Sequence, residues 1–480
     1  MTGLPSDALL LIVKRDCPTC RLIEPAIHEL ARGPLALTVL SQDDPAFPPG
    51  LPVEDGRDLA RSHRLGIEIV PTLLRLADGR EAGRATGWQR AEWRGLSGLN
   101  ALGEGLPEAR PGCGALNVAP GMPERLRLKL GEVGIASRAI AVAEDDDEME
   151  VAYGFGWTDG LPIVPPTDLR IVRMLAGTGR KPGEVVGLVP PNYLPCTVEK
   201  VAINAVMAGC KPEYLPVVLA VLEAALLPIF AMHGLLATMY FSGPVIIVNG
   251  PIARAIGMNS GVNALGQGNR ANATIGRALQ LIIRNVGGGV PGGIDRATLG
   301  NPGKYTFCFA EDESDPEWTP LSVARGIPTG RSAVTLFHGD GVTALMDQKS
   351  RTADELSRSL AMGLAGVGHP KLAEWANAIL VLSPEHYAIF RKSGWRRAEI
   401  EAALRRDLMR PGASLLCGAG GVGEGIAPER AAGLVHKFHP DGLLVVRAGG
   451  RAGLMSAIIG GWSGGRLVEE VQPVSKEIEL

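Results

Sequence analysis

Five residues near the start of the chain, Asp16-Cys17-Pro18-Thr19-Cys20, constrain its folding more than any others. They follow the apolar run Ala8 to Lys14, "ALLLIVK", which reads as a strand buried on both faces. They precede "RLIEPAIHELA", where Leu22, Ile23, Ile27 and Leu30 fall on one face of a helix. Two thiols two residues apart therefore lie where a buried strand turns into a helix. There the helix N–H groups and dipole favour a thiolate at Cys17, and Lys14 and Arg15 add positive charge nearby. A second strand is expected over Leu35 to Ser41. Val70-Pro71-Thr72 then leads into a hairpin turned at Asp78-Gly79.

The order of strand, Cys-x-x-Cys, helix, strand and Val-Pro-Thr before a hairpin resembles the thioredoxin fold over roughly residues 6 to 104. The resemblance implies that Cys17 is an exposed nucleophile and Cys20 a buried resolving thiol, with Pro71 cis and facing them. Two positions depart from that pattern. Asp16 stands where the family carries a Trp, and its negative charge opposes thiolate formation. Leu11 stands where the family carries a buried acid. A structural zinc role for the pair has little support, because no second Cys-x-x-Cys or Cys/His pair lies nearby.

A length of 480 residues exceeds one ordinary core and predicts two or three domains. We expect a first domain over 1–104, a linker over 105–148 and a large α/β domain over 149–480. The net charge of -3, with no basic stripe, argues against nucleic acid as a partner. The apolar run Ala8 to Val13 is too short for a signal-peptide core, and no stretch reaches the ~18 uninterrupted apolar residues of a membrane span. A cytoplasmic location with no membrane partner is the expectation. Seven cysteines there mean thiol chemistry or metal, not a disulfide framework. The linker holds Cys113 between glycines, read as an incidental exposed thiol with an electron relay as the alternative, one helix around Met122 to Val133, and an acidic run from Glu144 to Glu150.

In the large domain, Thr167 and Thr197 are expected to cap helices. "GPVIIVNGP", "SAVTLFHG", "AILVLSPEH" and "GLLVVRAGG" read as strands alternating with helices such as Ala353 to Leu364 and Arg397 to Arg405. Chemistry in such folds gathers at strand ends. The first candidate is the loop Asn259-Ser260-Gly261 through "NALGQGNRANATIGRAL". Asn259, Ser260, Asn269, Arg270, Asn272 and Arg277 there compose an expected substrate site for a small anion, the alternative being that Gly and Asn only supply left-handed turns. The second is Cys308 on a short strand followed by Glu311, a nucleophile beside a general base or half of a metal site, with a small core residue as the alternative for Cys308. The third is Cys417 in "SLLCGAGGVGEGI", where flanking backbone N–H groups suit a thiolate or an oxyanion. Cys210 ends a helix and reads as a packing residue, and His386, His436 and His439 are scattered.

The phrases "DGLPIVPPT", "VEKVAINAVMAGCKPEYLPVVLAVLEA", "GNRANATIGRAL", "NPGKYTFCFAEDE" and "VLSPEHYAIFRKSGW" resemble the partner protein of the Sec-Gly-Ser-Cys (seleno)protein family, itself loosely related to selenoprotein B of glycine, sarcosine and betaine reductases. The resemblance covers about residues 150 to 470. It implies thiol- or selenol-based reduction of a small carbon–heteroatom substrate, although this chain carries no Sec-Gly-Ser-Cys motif. The expectation is a thiol-dependent oxidoreductase acting on a small anionic molecule, in which Cys17, Cys20, Pro71, Cys308, Cys417 and Glu311 carry the chemistry. The dithiol is its redox group, a thioredoxin reductase or other thiol donor its electron source, and a homo-oligomer its assembly. One alternative is a metal-dependent lyase or hydrolase with a metal held by Cys308, Glu311, His338 and Cys417. Another is a non-enzymatic redox-sensing binding protein.

Overall fold

The computed structural model describes residues 7–374, 376–461 and 472–479, and the chain is an α/β protein divided into two compact units, Met1–Gly134 and Ile135–Leu480. Among the described residues, no single helix is long and apolar enough to cross a membrane.

In the first unit, β1 (Asp7–Val13) is buried from Ala8 onward, as a continuous apolar run demands. It is flanked by β2 (Ala36–Ser41), parallel, and β5 (Thr72–Ala77), antiparallel. With β3 (Val53–Asp55) and β6 (Arg80–Thr86) these make a sheet of order β3-β2-β1-β5-β6. The single helix expected after the cysteines is two, α1 (Pro18–Leu22) and α2 (Glu24–Ala31). Pro25 has no N–H to give Arg21, and its ring crowds that carbonyl, so the chain breaks at Ile23. Ile23, Ala26, Ile27 and Leu30 still face the core beside β1.

The first unit also continues past the boundary expected at residue 104. The short strand β4 (Ile69–Val70) pairs with β9 (Cys113–Gly114), and β7 (Trp88–Gln89) pairs with β8 (Ala109–Arg110). The helix α3 (Ala60–Arg64) precedes β4, α4 (Arg90–Ser97) lies between β7 and β8, and α5 (Met122–Lys129) follows β9. Part of the expected linker is therefore structure of this unit. Its glycines and prolines signal close backbone approach and tight turns, the same composition that a linker shows.

In the second unit, α6 (Val198–Ala208), α7 (Leu215–Ala225) and α8 (Arg270–Ile282) pack together. Thr197 caps α6 by accepting the Lys200 N–H at 3.3 Å, whereas Thr167 makes no such bond to the helix it precedes. The carboxylate of buried Glu199 in α6 accepts the backbone N–H groups of Ala136 and Ser137 at 2.9 and 2.8 Å, anchoring the start of the unit. The sheet consists of β10 (Gly243–Asn249), β11 (Cys308–Ala310), β12 (Ala333–Met346), β13 (Ala376–Leu382), β14 (Phe438–Arg447), β15 (Met455–Gly461) and β16 (Val474–Glu477). Its order is β11-β10-β12-β15-β13-β14, with β16 also on β12. A register shift between Gly339 and Val342 lets the long β12 pair with β10 in its first half and β15 in its second. The edge strands β11 and β14 meet at their ends, where the Asp312 N–H donates to Arg447 O at 2.7 Å.

Candidate functional site

Cys17 and Cys20 lie at the end of β1, the most buried strand of the first unit. Cys17 is the N-cap of α1, and its Sγ accepts the Cys20 N–H at 3.4 Å. On its other side the Cys17 thiol reaches Val70 O, also at 3.4 Å, one residue before the cis peptide Val70–Pro71. Neither sulfur is exposed to solvent, so Cys17 is not the exposed nucleophile that the resemblance implied.

The cover is the segment expected to be linker. Thr19 Oγ1 donates to Pro111 O at 2.7 Å, Lys14 Nζ donates to Gly114 O at 3.1 Å, and Cys113 lies opposite Val70 in the β4–β9 pair. Gly112 is a glycine of necessity, since a Cβ there would stand 2.4 Å from Ile69 Cγ2 and 2.5 Å from Val70 O. Across the strap, a Cβ on Gly87 would press on the backbone of Arg110 and Gly112. Cys113, read from sequence as incidental, thus lies across from the residue whose carbonyl the Cys17 thiol contacts. The isolated Gly-Cys-Gly gave no sign of this, because the pairing that brings it there is long-range.

The three thiols differ in acidity. Hydrogen bonding from the Cys20 side chain, opposed by burial and aided by Cys113 and by the N–H groups of Cys20 and Thr19, holds the Cys17 thiol down at about 5. Burial, followed by the neighbouring Cys17, pushes Cys20 far above the ordinary thiol range. The bond it gives Cys17 pushes Cys113 up, and burial adds to this. Arg15 does not contribute as expected: its guanidinium points outward to Asp44, while Asp43 holds the backbone N–H groups of Arg15 and Asp16. Asp16 is exposed and Leu11 is wholly buried in the core, so no carboxylate sits under the dithiol at either position.

In the second unit the predicted residues do not form one site. Cys308 is buried beside α8, where Gly276 leaves it room, and burial pushes its thiol above the ordinary range. Glu311 is also buried, but it is engaged elsewhere. It accepts from Asn249 Nδ2 at 2.6 Å, Trp318 Nε1 at 2.8 Å, the Leu321 N–H at 2.6 Å and Arg397 Nη2 at 2.9 Å. With its lone pairs so occupied, this carboxylate is an ion-pair anchor, not the base of Cys308.

Cys417 is exposed, but its thiol donates to Gly425 O at 3.1 Å. The surrounding loop turns carbonyls inward. Lys371 Nζ donates to Leu416 O at 2.7 Å, to Val422 O at 3.2 Å and to Ala419 O. A loop that folds its oxygens around an ammonium is the opposite of an oxyanion or thiolate cradle. Among the described residues, no group of three His, Cys, Asp or Glu side chains is arranged to hold a metal ion. His386 is buried in a helix, with Nδ1 2.7 Å from Ser456 Oγ, and serves packing.

The expected anion loop is built from its own hydrogen bonds. Asn269 caps α8 through the Asn272 N–H, Asn272 Oδ1 accepts the Asn259 N–H at 3.0 Å, and Asn259 Oδ1 accepts the Gly261 N–H. Ser260 O accepts the Gly449 N–H. Arg270 donates to Gly209 O at 2.8 Å. Arg277 grips Asp159 with two bonds of 2.8 Å and, against the upward push of burial, holds that carboxyl below its ordinary range. These side chains shape the turn and its helix cap and do not converge on a ligand. Asn272→Ala should cost about 1–3 kcal/mol, because it leaves the Asn259 backbone unsatisfied; chemical denaturation would measure the loss. A pocket of about 380 Å³ lies instead at the end of β10, lined by Arg254, Glu313, Ser322 and Arg331 among others.

The chain is thus an α/β protein whose first unit clusters three thiols at the end of its central strand. No protein family, no curated protein and no solved structure matches it.

Proposed function

We propose that the chain is a thiol–disulfide oxidoreductase whose first unit is a thioredoxin-like module with Cys17 as nucleophile. One observation carries the reading: Cys17 sits at the turn from β1 to α1 between the Cys20 N–H and Val70 O, with its thiol held down at about 5 while Cys20 is pushed up. A thiol with a pKa of about 5 is about 99 % thiolate at pH 7, against about 3 % for an ordinary thiol near 8.5. Attack by this thiolate on a disulfide forms a Cys17 mixed disulfide and expels a thiolate. Attack on Cys17 by a second protein thiol then releases the other half of the substrate. Two protein cysteines are oxidised as one disulfide is reduced; the second thiol gives its proton to one product, and the thiolate expelled by Cys17 takes its proton from water.

The depressed pKa sets the pH dependence. The thiolate is present above the folded pKa and is lost as pH falls through it. The ultraviolet thiolate absorbance of the reduced protein should therefore rise with a midpoint near pH 5 and be absent at that pH in Cys17→Ser. A midpoint above pH 8 would count against the reading.

We read the second unit as the substrate-binding part, with a small anion taken at the pocket beside Arg254 and Arg331. One polypeptide joins it to the dithiol, which keeps both at an effective concentration of roughly millimolar. Arg254→Ala should then raise the KM of an anionic substrate without altering Cys17 thiolate formation.

A further inference from the structure

We propose that Cys113 is a third redox thiol of this site, a resolving partner for Cys17 delivered by the strap that covers it. The inference rests on the thiol–disulfide reading above but goes beyond a two-cysteine centre.

Four independent contacts place the strap. Cys113 is paired with Val70, the residue whose carbonyl the Cys17 thiol touches. Pro111 O accepts from Thr19, which lies between the two dithiol cysteines, and Gly114 O accepts from Lys14. The Trp88–Arg110 and Gln89–Ala109 pairs fix the strap upstream. Gly112 and Gly87 remove the side chains that would hold it away. Cys113 is only half-buried, whereas Cys17 and Cys20 have no exposed surface. It is therefore the most exposed of the three thiols.

The step balances without an outside reagent beyond the disulfide substrate. In the mixed disulfide between Cys17 and a substrate thiol, the Cys113 sulfur attacks Cys17 Sγ. The Cys17–Cys113 bond forms, the bond to the substrate sulfur breaks, and the leaving thiolate takes the Cys113 proton. Cys20 then attacks Cys17 Sγ, moves the disulfide to Cys17–Cys20, and returns its own proton to Cys113. Cys113 thus performs the second exchange, releasing substrate from Cys17, and the inner pair stores the oxidised state out of solvent.

The test uses the full chain oxidised with glutathione disulfide, quenched with acid, alkylated and mapped without reduction. Cys20→Ser should yield an intramolecular Cys17–Cys113 disulfide. Cys20→Ser/Cys113→Ser should instead hold glutathione on Cys17. Glutathione retained on Cys17 of Cys20→Ser, with Cys113 free to alkylate, would overturn the proposal. Wild-type protein separates this from the parent reading. If it forms Cys17–Cys20 while Cys20→Ser never forms Cys17–Cys113, only the third thiol fails. If it forms no Cys17 disulfide at all, the oxidoreductase reading falls. As a second measurement, Cys113→Ala should raise the midpoint of Cys17 thiolate formation, because one donor to that sulfur is gone; an unchanged midpoint would also overturn the proposal.

Discussion

Cys17→Ser should reduce the turnover of a disulfide substrate to the uncatalysed background, and Cys20→Ser should leave Cys17 able to attack. The asymmetry follows from the site. Cys17 receives the Cys20 N–H, and of the three clustered thiols it alone is pushed down, by the Cys20 side chain first. Serine cannot replace it, since an alkoxide is not formed at neutral pH. Cys20 is pushed far up, so in the proposed cycle it takes no first step and acts only on Cys17. The measurement is reduction of glutathione disulfide by the protein with dithiothreitol as the reductant, corrected for the background without protein, with mass spectrometry for adducts on Cys17. Full turnover in Cys17→Ser would remove the dithiol from the chemistry. A Cys17 that never carries an adduct in Cys20→Ser/Cys113→Ser would do the same.

Glu311→Ala should destabilise the second unit by about 3–5 kcal/mol, and Arg397→Ala by a similar amount, with Glu311→Gln/Arg397→Met losing less than the two single changes together. Both side chains are buried. Arg397 also donates to Thr319 O at 2.7 Å and to Val445 O, and its guanidinium lies 4.4 Å from the Trp318 ring centre. Removing the carboxylate leaves this cation with only the partly exposed Glu401, at 3.2 Å, as counter-ion, and Asn249, Trp318 and the Leu321 N–H lose their acceptor. Denaturant unfolding, followed by tryptophan fluorescence in the full chain, would measure the cost. Because Glu311 belongs to the second unit, the Cys17 thiolate of the first should survive the change. A Glu311→Ala protein of unaltered stability but no turnover would instead restore this residue to the chemistry expected from sequence.

The two predictions concern residues of opposite legibility. The dithiol could be read because its signal is contiguous: an apolar run, two thiols, Pro18 at a helix start and an amphipathic turn all lie within one stretch of chain. Glu311 was misread for the same local reason. A Cys and a Glu three residues apart at a strand end look like nucleophile and base. Yet alternate residues of β11 face opposite ways, so Cys308 packs on α8 while Glu311 turns to Trp318 and Arg397. The Asn- and Arg-rich loop shows a further limit. Composition reports that polar groups are present, not whether they are already paired, and here Asn272 and Arg277 are satisfied by Asn259 and Asp159.

The sequence by itself determined the α/β character, the buried strand β1, and the placing of Cys17 and Cys20 at its end, because burial pattern and helix capping act over a few residues. Only the tertiary structure decided that Cys17 is covered and what covers it. The strap reaches the dithiol through bonds such as Thr19 to Pro111, 92 positions apart, and through glycines whose lack of a side chain has meaning only against Ile69 and Val70. Two residues of strand pairing turned a thiol of an expected linker into a neighbour of Cys17.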